Sequence, residues 1–169
     1  MIQVIYNFFN PQHIESIHNE CKKLKFHSSE EYKKKFKENC NWPGQRTENL
    51  IRSNPILYSY ISSILKNYDI HFENYRQAFA ACHVRYAEDE KKDWVHKDST
   101  DTVIIYLSQS NLESGTKFYA DDLETEILCS RFIQNSAVFF SQGIAHGSFG
   151  NHGNNIDNGR MTINIFLHK

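Results

Sequence analysis

Residues 103–140 decide the fold class, and they read VIIYLSQSNLESGTKFYADDLETEILCSRFIQNSAVFF. The stretch contains successive short runs rich in β-branched and aromatic residues, at 103–108, 116–119, 126–134 and 137–140. Gly, Asn, Asp and Ser separate these runs, which is typical of turns between neighbouring strands. The stretch therefore predicts a series of short β-strands.

The same pattern extends on both sides of this stretch. Residues 79–86 alternate partly between apolar and polar side chains, and residues 161–167 form a last apolar run. Before about residue 71 the chain reads differently, as an opening β run at 2–6 followed by helices. Helices first and many short strands afterwards indicate an α+β fold.

Two Asn-Pro pairs mark where the predicted helices begin. Asn10-Pro11 and Asn54-Pro55 each precede apolar residues at helical spacing, so each asparagine is predicted to cap a helix with proline in its first turn. We expect these helices to pack on one side of a double-stranded β-helix, or jelly roll. The length of 169 residues fits one domain over 1–169, with a helical part at about 1–70 and a jelly-roll part at about 71–169.

Composition excludes several classes of protein. The chain carries 19 basic and 20 acidic residues, a net charge of -1, which argues against an obligate nucleic-acid binder. No apolar run approaches the roughly 20 residues that span a bilayer. The N-terminus lacks a signal peptide, and the four cysteines are scattered without a short pairing, so we expect a cytoplasmic protein without a disulfide framework.

The first chemical motif is His96-Lys97-Asp98. Side chains at i and i+2 share a face in an extended strand, whereas on a helix they diverge. In a strand, His96 and Asp98 therefore present an imidazole and a carboxylate to one ion. Alone, the pair is better explained as a surface ion pair.

Residues further along the chain strengthen the metal interpretation. His146 follows an apolar strand and offers a third ligand, and two histidines with one carboxylate form the facial triad typical of non-haem iron. Arg160 opens the last predicted strand. A buried arginine in a small barrel needs an anionic partner, and its planar fork suits a carboxylate.

Five ordered elements together resemble a known family. In chain order they are His96-Lys97-Asp98, Tyr106-Leu107, the predicted turn Ser114-Gly115-Thr116, His146, and Arg160-Met161-Thr162. This order resembles the iron(II)/2-oxoglutarate-dependent oxygenases, especially the prolyl-4-hydroxylase-like branch with its small bacterial and phage members. The resemblance covers about residues 79–167 and, more loosely, residues 2–24.

The resemblance implies roles for individual residues. His96, Asp98 and His146 would bind Fe(II), and Arg160 would bind the distal carboxylate of the cosubstrate 2-oxoglutarate. Thr162, Tyr106 and Tyr86 would assist at that carboxylate, although both tyrosines also fit a core role. With O2, the expected reaction is hydroxylation of a C–H bond with release of succinate and CO2. Since Asp98 is present, halogenation is not expected.

One departure from the family pattern leaves the distal ligand open. His146 lies further from Arg160 than is usual in the family, so His152 is a rival ligand. We favour His146 because it follows a strand, whereas residues 149–155 read as a polar loop. His152 would then face substrate, and so would Trp94 and Arg46, the latter on a predicted loop at 41–47.

The substrate is predicted only by class. A small molecule or a peptide side chain fits a short chain with little net charge better than a nucleic acid does. The sequence says nothing about oligomeric state. Two alternatives remain: a non-catalytic jelly-roll module that binds a metal or ligand, and a metal-dependent cupin enzyme that does not use 2-oxoglutarate.

Overall fold

The computed structural model describes residues 1–37, 40–89 and 94–169, which form eleven strands and four α-helices. The helices are α1 (Ile14–Lys22), α2 (Ser29–Phe36), α3 (Leu50–Ser53) and α4 (Pro55–Leu65), and short 3-10 turns lie at Lys66–Tyr68 and Phe72–Asn74. The strands are β1 (Ile2–Ile5), β2 (Phe26–Ser28), β3 (Gln45–Thr47), β4 (Gln77–Arg85), β5 (His96–Lys97), β6 (Asp101–Tyr106), β7 (Asn111–Tyr119), β8 (Glu126–Phe132), β9 (Ala137–Phe140), β10 (Ala145–Phe149) and β11 (Arg160–His168).

The strands form two antiparallel sheets, a seven-stranded one in the order β1-β9-β6-β11-β4-β3-β2 and a four-stranded one in the order β5-β10-β7-β8. The two sheets make a double-stranded β-helix, which confirms the predicted α+β jelly roll. None of the described helices is long and apolar enough to cross a membrane.

Side-chain alternation along β11 separates the hydrophobic core from the functional side of the large sheet. Met161, Ile163 and Ile165 are fully buried in a core shared with Ile61 and Leu65 of α4. The residues between them on β11 point to the other side, towards the small sheet. A second, smaller core fills part of the space between the sheets and contains Tyr106, Phe118, Phe132 and Phe140. The remaining space between the sheets is the candidate site.

Of the two predicted helix caps, one is confirmed and one is wrong. Asn54 Oδ1 accepts a hydrogen bond from Leu57 N at 3.1 Å, and Pro55 is the first residue of α4. Helix α1, however, begins only at Ile14. Asn10 instead closes a turn before the helix, with its Oδ1 accepting from the amide of Gln12 at 3.0 Å. The side chain satisfies a nearby turn, which is a common competitor of helix capping.

Two strands were missed within the predicted helical part. Strands β2 and β3 have three residues each, too few for a period-two pattern to be visible. β3 pairs with β4, where Arg46 lies opposite His83. Arg46 therefore belongs to a strand of the large sheet, and the predicted loop at 41–47 is wrong at its C-terminal end.

The predicted turn Ser114-Gly115-Thr116 is also wrong, since all three residues lie inside β7. Gly115 is required there by a close approach of two strands. A Cβ at this position would lie 2.2 Å from the carbonyl oxygen of Ser130 on β8. Glycine therefore marks a tight contact within the small sheet rather than a chain reversal.

Candidate metal centre

Pairing of two short strands brings the candidate ligands together. His96 on β5 lies directly opposite His146 on β10, and Asp98 follows β5 by one residue. His96 Nε2 is 3.6 Å from Asp98 Oδ1, and His146 Nε2 is 3.5 Å from Asp98 Oδ2. The three ligand atoms lie within 4.8 Å of one another. Such convergence suits one metal ion.

Hydrogen bonds to the main chain fix both imidazole rings. His96 Nδ1 lies 3.1 Å from the carbonyl oxygen of Trp94, and His146 Nδ1 lies 2.9 Å from that of Ile144. A carbonyl oxygen only accepts, so Nδ1 carries the proton in each ring. In the neutral form of each ring the lone pair is then on Nε2, which is the tautomer that a metal-binding histidine requires.

A hydroxyl orients the candidate carboxylate ligand. Thr102 Oγ1 donates to Asp98 Oδ2 at 3.2 Å. This contact fixes the rotation of the carboxylate and still leaves lone pairs for an ion. Asp98 thus has the supporting contact that protein metal ligands usually have.

Burial differs among the candidate ligands, and this defines the open side of the site. The side chain of His146 is 6% exposed, that of Asp98 20% and that of His96 39%. Burial lowers the pKa of His146, and the neighbouring His96 lowers it further, against the opposing effects of the Ile144 carbonyl and Asp98. His146 is therefore neutral at physiological pH, which is the ligand form. Access to the cluster is from the His96 side.

The cluster opens into a cavity of about 350 Å³ between the two sheets. Its wall includes the three candidate ligands and three arginines, Arg46, Arg85 and Arg160. Among the described residues of the lining, Asp98 is the one carboxylate. The cavity is thus strongly basic, although the whole chain is nearly neutral.

Arg160 is held in this wall by the small sheet. Its Nε donates to Ser114 Oγ at 3.1 Å, one Nη donates to the Gly115 carbonyl at 3.1 Å, and its guanidinium lies over the ring of Phe132. Arg160 is 3% exposed. In the contact with Ser114, the side-chain hydroxyl serves as the hydrogen-bond acceptor.

Thr162 and Tyr106 lie next to each other but behind the cavity wall. They are opposite one another in the pairing of β11 with β6. Thr162 Oγ1 donates to Asn164 Oδ1 at 2.8 Å, and the Tyr106 hydroxyl lies 2.9 Å from Thr116 Oγ1. Burial raises the pKa of Tyr106. Both hydroxyls are thus engaged with residues that do line the cavity, Asn164 and Thr116.

Tyr86 lies on the core side, away from this wall. Arg85 faces the cavity, and the next residue of an extended chain points the opposite way. Tyr86 packs against the larger core, and its ring touches Gly159, where an added Cβ would meet it at 2.7 Å. The side chain of Tyr86 therefore lies on the core face of the large sheet, and the guanidinium of Arg160 lies on the cavity face.

The three residues expected to face substrate occupy different positions. Trp94 is 47% exposed and lies at the cavity wall, with its ring centroid 5.6 Å from that of His96. Arg46 also lines the cavity. His152 instead packs edge-on against Phe132, and burial and Arg160 lower its pKa. Among the described residues, His152 is not part of the candidate metal cluster.

Two cavity residues, His83 and Arg85, were missed in the sequence. Both lie on β4, two positions apart, and therefore share the cavity face. The alternation within 79–86 contained this signal. His83 Nε2 lies 2.6 Å from the Pro43 carbonyl, and burial together with the nearby arginines lowers its pKa well below the ordinary value.

The sequence matches no family model and no curated protein. Solved structures do match. HygX from Streptomyces hygroscopicus, with nickel, 2-oxoglutarate and hygromycin B bound, has a TM-score of 0.66 at 10% identity, covering 99% of this chain and 83% of that one. A Pseudomonas putida prolyl-4-hydroxylase has a TM-score of 0.61 at 10% identity, with coverage of 99% and 92%.

A third similar structure is SnoK, a non-haem α-ketoglutarate-dependent carbocyclase from nogalamycin biosynthesis. Its TM-score is 0.64 at 14% identity, and the match covers 99% of this chain and 79% of that one. At these identities the likeness concerns the fold. The chain thus shares the double-stranded β-helix fold of the iron- and 2-oxoglutarate-dependent oxygenases.

Proposed function

We propose that this protein is an Fe(II)- and 2-oxoglutarate-dependent dioxygenase that hydroxylates a C–H bond of a small molecule or a peptide side chain. One observation carries the proposal. His96 Nε2, His146 Nε2 and an Asp98 oxygen lie within 4.8 Å of one another and open into a cavity whose wall contains Arg160.

The donor set fits iron. Two imidazoles and one carboxylate match the facial arrangement of non-haem Fe(II), which leaves positions for a cosubstrate and O2. In the proposal His96, Asp98 and His146 hold the metal, and the carbonyls of Trp94 and Ile144 keep each Nε2 aimed at it. Fe(II) with 2-oxoglutarate supplies activation of O2, with succinate and CO2 as co-products.

Arg160 fits the distal carboxylate of 2-oxoglutarate. Its contacts with Ser114 and Gly115 fix the guanidinium plane, so little side-chain entropy is lost when an anion binds. Thr162 and Tyr106 support this side of the cavity through Asn164 and Thr116. The nickel and 2-oxoglutarate bound in HygX, on the same fold, support the assignment.

The remaining wall residues serve substrate entry and exclusion of water. His96 is the most exposed of the three candidate ligands, so substrate approaches from its side, past Trp94. A cavity of about 350 Å³ lies at the low end of small-molecule sites, which typically span about 300–1,000 Å³. This size favours a small substrate or a single side chain.

An anaerobic spectroscopic titration tests the proposed function. The apo-protein receives Fe(II) and then 2-oxoglutarate, and a visible charge-transfer band that needs both additions is expected. The band is expected to disappear in His146→Ala, to require far more 2-oxoglutarate in Arg160→Ala, and to persist in His152→Ala.

The opposite results separate the alternatives. Metal binding without any 2-oxoglutarate band in the wild type would sink the oxygenase and favour a non-catalytic jelly-roll module or a cupin enzyme of another kind. Loss of the band in His152→Ala, with retention in His146→Ala, would exchange the roles of the two histidines.

A further inference from the structure

The cavity carries more positive charge than the proposed reaction uses. Among the residues that the structure describes, three arginines and one carboxylate line it, so this part of the wall has two net positive charges. Fe(II) adds two, and the 2-oxoglutarate dianion removes two. Two positive charges therefore remain with metal and cosubstrate bound, in a partly enclosed space where uncompensated charge is costly.

The three arginines differ in how the protein holds them. Arg160 lies opposite Arg85 in the pairing of β11 with β4. Arg160 contacts Ser114 and Gly115, and Arg85 Nη1 donates to Ser148 Oγ at 2.6 Å. Both are thereby anchored to the small sheet. Arg46 comes from β3, on the far side of β4, and has no such anchor among the described residues.

Arg46 is held by aromatic rings instead. Its guanidinium lies 4.2 Å from the ring centroid of Trp42 and 5.4 Å from that of Phe166. Stacking of this kind fixes the plane of a guanidinium and leaves its N–H edge for a ligand. Its Nε is buried without a hydrogen-bond partner, and among the described residues Arg46 forms no ion pair.

The charge of Arg46 persists in this setting. Burial lowers the pKa of Arg46 to about 10, well above physiological pH. His83, opposite Arg46 in the sheet, stays neutral because its pKa lies well below the ordinary value. Arg46 lines the same cavity as Asp98, and this carboxylate acts against burial by raising the pKa of Arg46.

We propose that Arg46 binds an anionic group of the substrate, a carboxylate or a phosphate, while Trp42 and Phe166 hold the guanidinium plane. This inference rests on the proposed function, since it assigns Arg160 to 2-oxoglutarate and Arg46 to the second anion. The substrate is accordingly a small anionic molecule. Its charged group would fix the distance between Arg46 and the C–H bond presented at the metal.

Matched probes that differ only in charge test the inference. The protein is loaded with Mn(II) and saturating 2-oxoglutarate. It is then titrated calorimetrically with N-acetyl amino acids, with their neutral N-methylamides, and with N-acetyl-O-phosphoserine N-methylamide. The wild type is expected to prefer at least one anionic probe over its neutral partner by about tenfold or more, as a charge-assisted contact of about 1.4 kcal/mol gives.

Variants assign this preference to Arg46. In Arg46→Gln the preference is expected to fall to within about twofold, whereas Arg76→Gln, which removes an exposed arginine from the same chain, is expected to keep it. Arg46→Lys keeps the charge without the planar fork and is expected to retain part of the preference. Thermal unfolding of each variant shows whether it is folded. If Arg46→Gln does not fold, the anionic preference of Arg46→Lys is used to test the inference instead.

Three results would overturn the inference: no anionic preference in the wild type for any probe, a preference that survives in Arg46→Gln, or a tenfold weaker 2-oxoglutarate affinity in Arg46→Gln. The last result would assign Arg46 to the cosubstrate. Repeating the titrations without metal and 2-oxoglutarate separates this inference from the proposed oxygenase function. An anionic preference that depends on Arg46 would persist there even if the protein did not bind 2-oxoglutarate.

Discussion

Gly115→Ala is expected to weaken 2-oxoglutarate binding without touching any proposed metal ligand. The new Cβ would lie 2.2 Å from the Ser130 carbonyl oxygen, whereas real Cβ contacts stay above 3.0 Å. Because the obstacle is backbone, β7 and β8 must separate locally by about 0.8 Å, the difference between these distances. The Gly115 carbonyl, which accepts from Arg160 at 3.1 Å, moves with its residue.

This shift gives the expected magnitudes. A movement of that size directed along the contact lengthens the Arg160 contact to about 3.9 Å, beyond hydrogen-bond range. Without this bond the Arg160 side chain gains freedom that 2-oxoglutarate binding must remove, at a cost of about 0.5–1.5 kcal/mol, so the Kd for 2-oxoglutarate should rise about two- to tenfold. Overpacking should lower the free energy of unfolding by about 1–3 kcal/mol.

The anaerobic charge-transfer titration measures the Kd, and urea unfolding measures the stability. Gly143→Ala is the matched stability control, because it also has positive φ, at 78°, yet its Cβ would meet nothing within 4 Å. A Gly115→Ala variant with the wild-type 2-oxoglutarate Kd and a clear loss of stability would refute the reasoning. The carbonyl of residue 115 would then not set the position of Arg160.

Three further predictions concern other parts of the molecule. Thr102→Val removes the hydroxyl that donates to Asp98, so metal affinity in a competition titration should fall about tenfold, and an unchanged affinity would contradict that role. His83 is neutral in the fold because its pKa is depressed. The folded protein therefore keeps its full stability above the pKa of an unfolded histidine, near 6.5. As pH falls below that value, the free energy of unfolding should decrease by up to about 1.4 kcal/mol per pH unit. Urea unfolding of the metal-free protein at several pH values should show a flatter acid limb for His83→Gln than for the wild type. Asn54→Ala should cost about 1 kcal/mol in unfolding free energy because it removes the α4 cap, whereas Asn10→Ala should cost less, and equal losses would show that the α4 cap is not special.

Sequence patterns predicted the regular part of the fold well. The run at 137–140 coincides with β9, and the run at 161–167 lies within β11. Each is apolar over several residues, so local periodicity and burial agree. Strands β2, β3 and β5 are two or three residues long and are defined by their partners in the sheet. Such elements are invisible to any local pattern.

The candidate site was predictable where ligand spacing is local. His96 and Asp98 share a face by strand geometry alone, whereas their meeting with His146 depends on the pairing of β5 with β10. The choice between His146 and His152 likewise needed tertiary placement. Arg85 escaped notice because a charged residue at a strand end usually faces solvent. Arg85 is buried because the small sheet packs over this end of β4.

The carbonyl partners of the two histidines have an evolutionary consequence. Each ring is oriented by the main chain two residues earlier, at Trp94 and Ile144, and a carbonyl is supplied by every amino acid. Selection can therefore replace the side chain at position 94, beside the cavity mouth, without altering the tautomer of His96. Under the proposed function, the cavity entrance can therefore change for new substrates while the candidate metal ligands and their orientation stay the same.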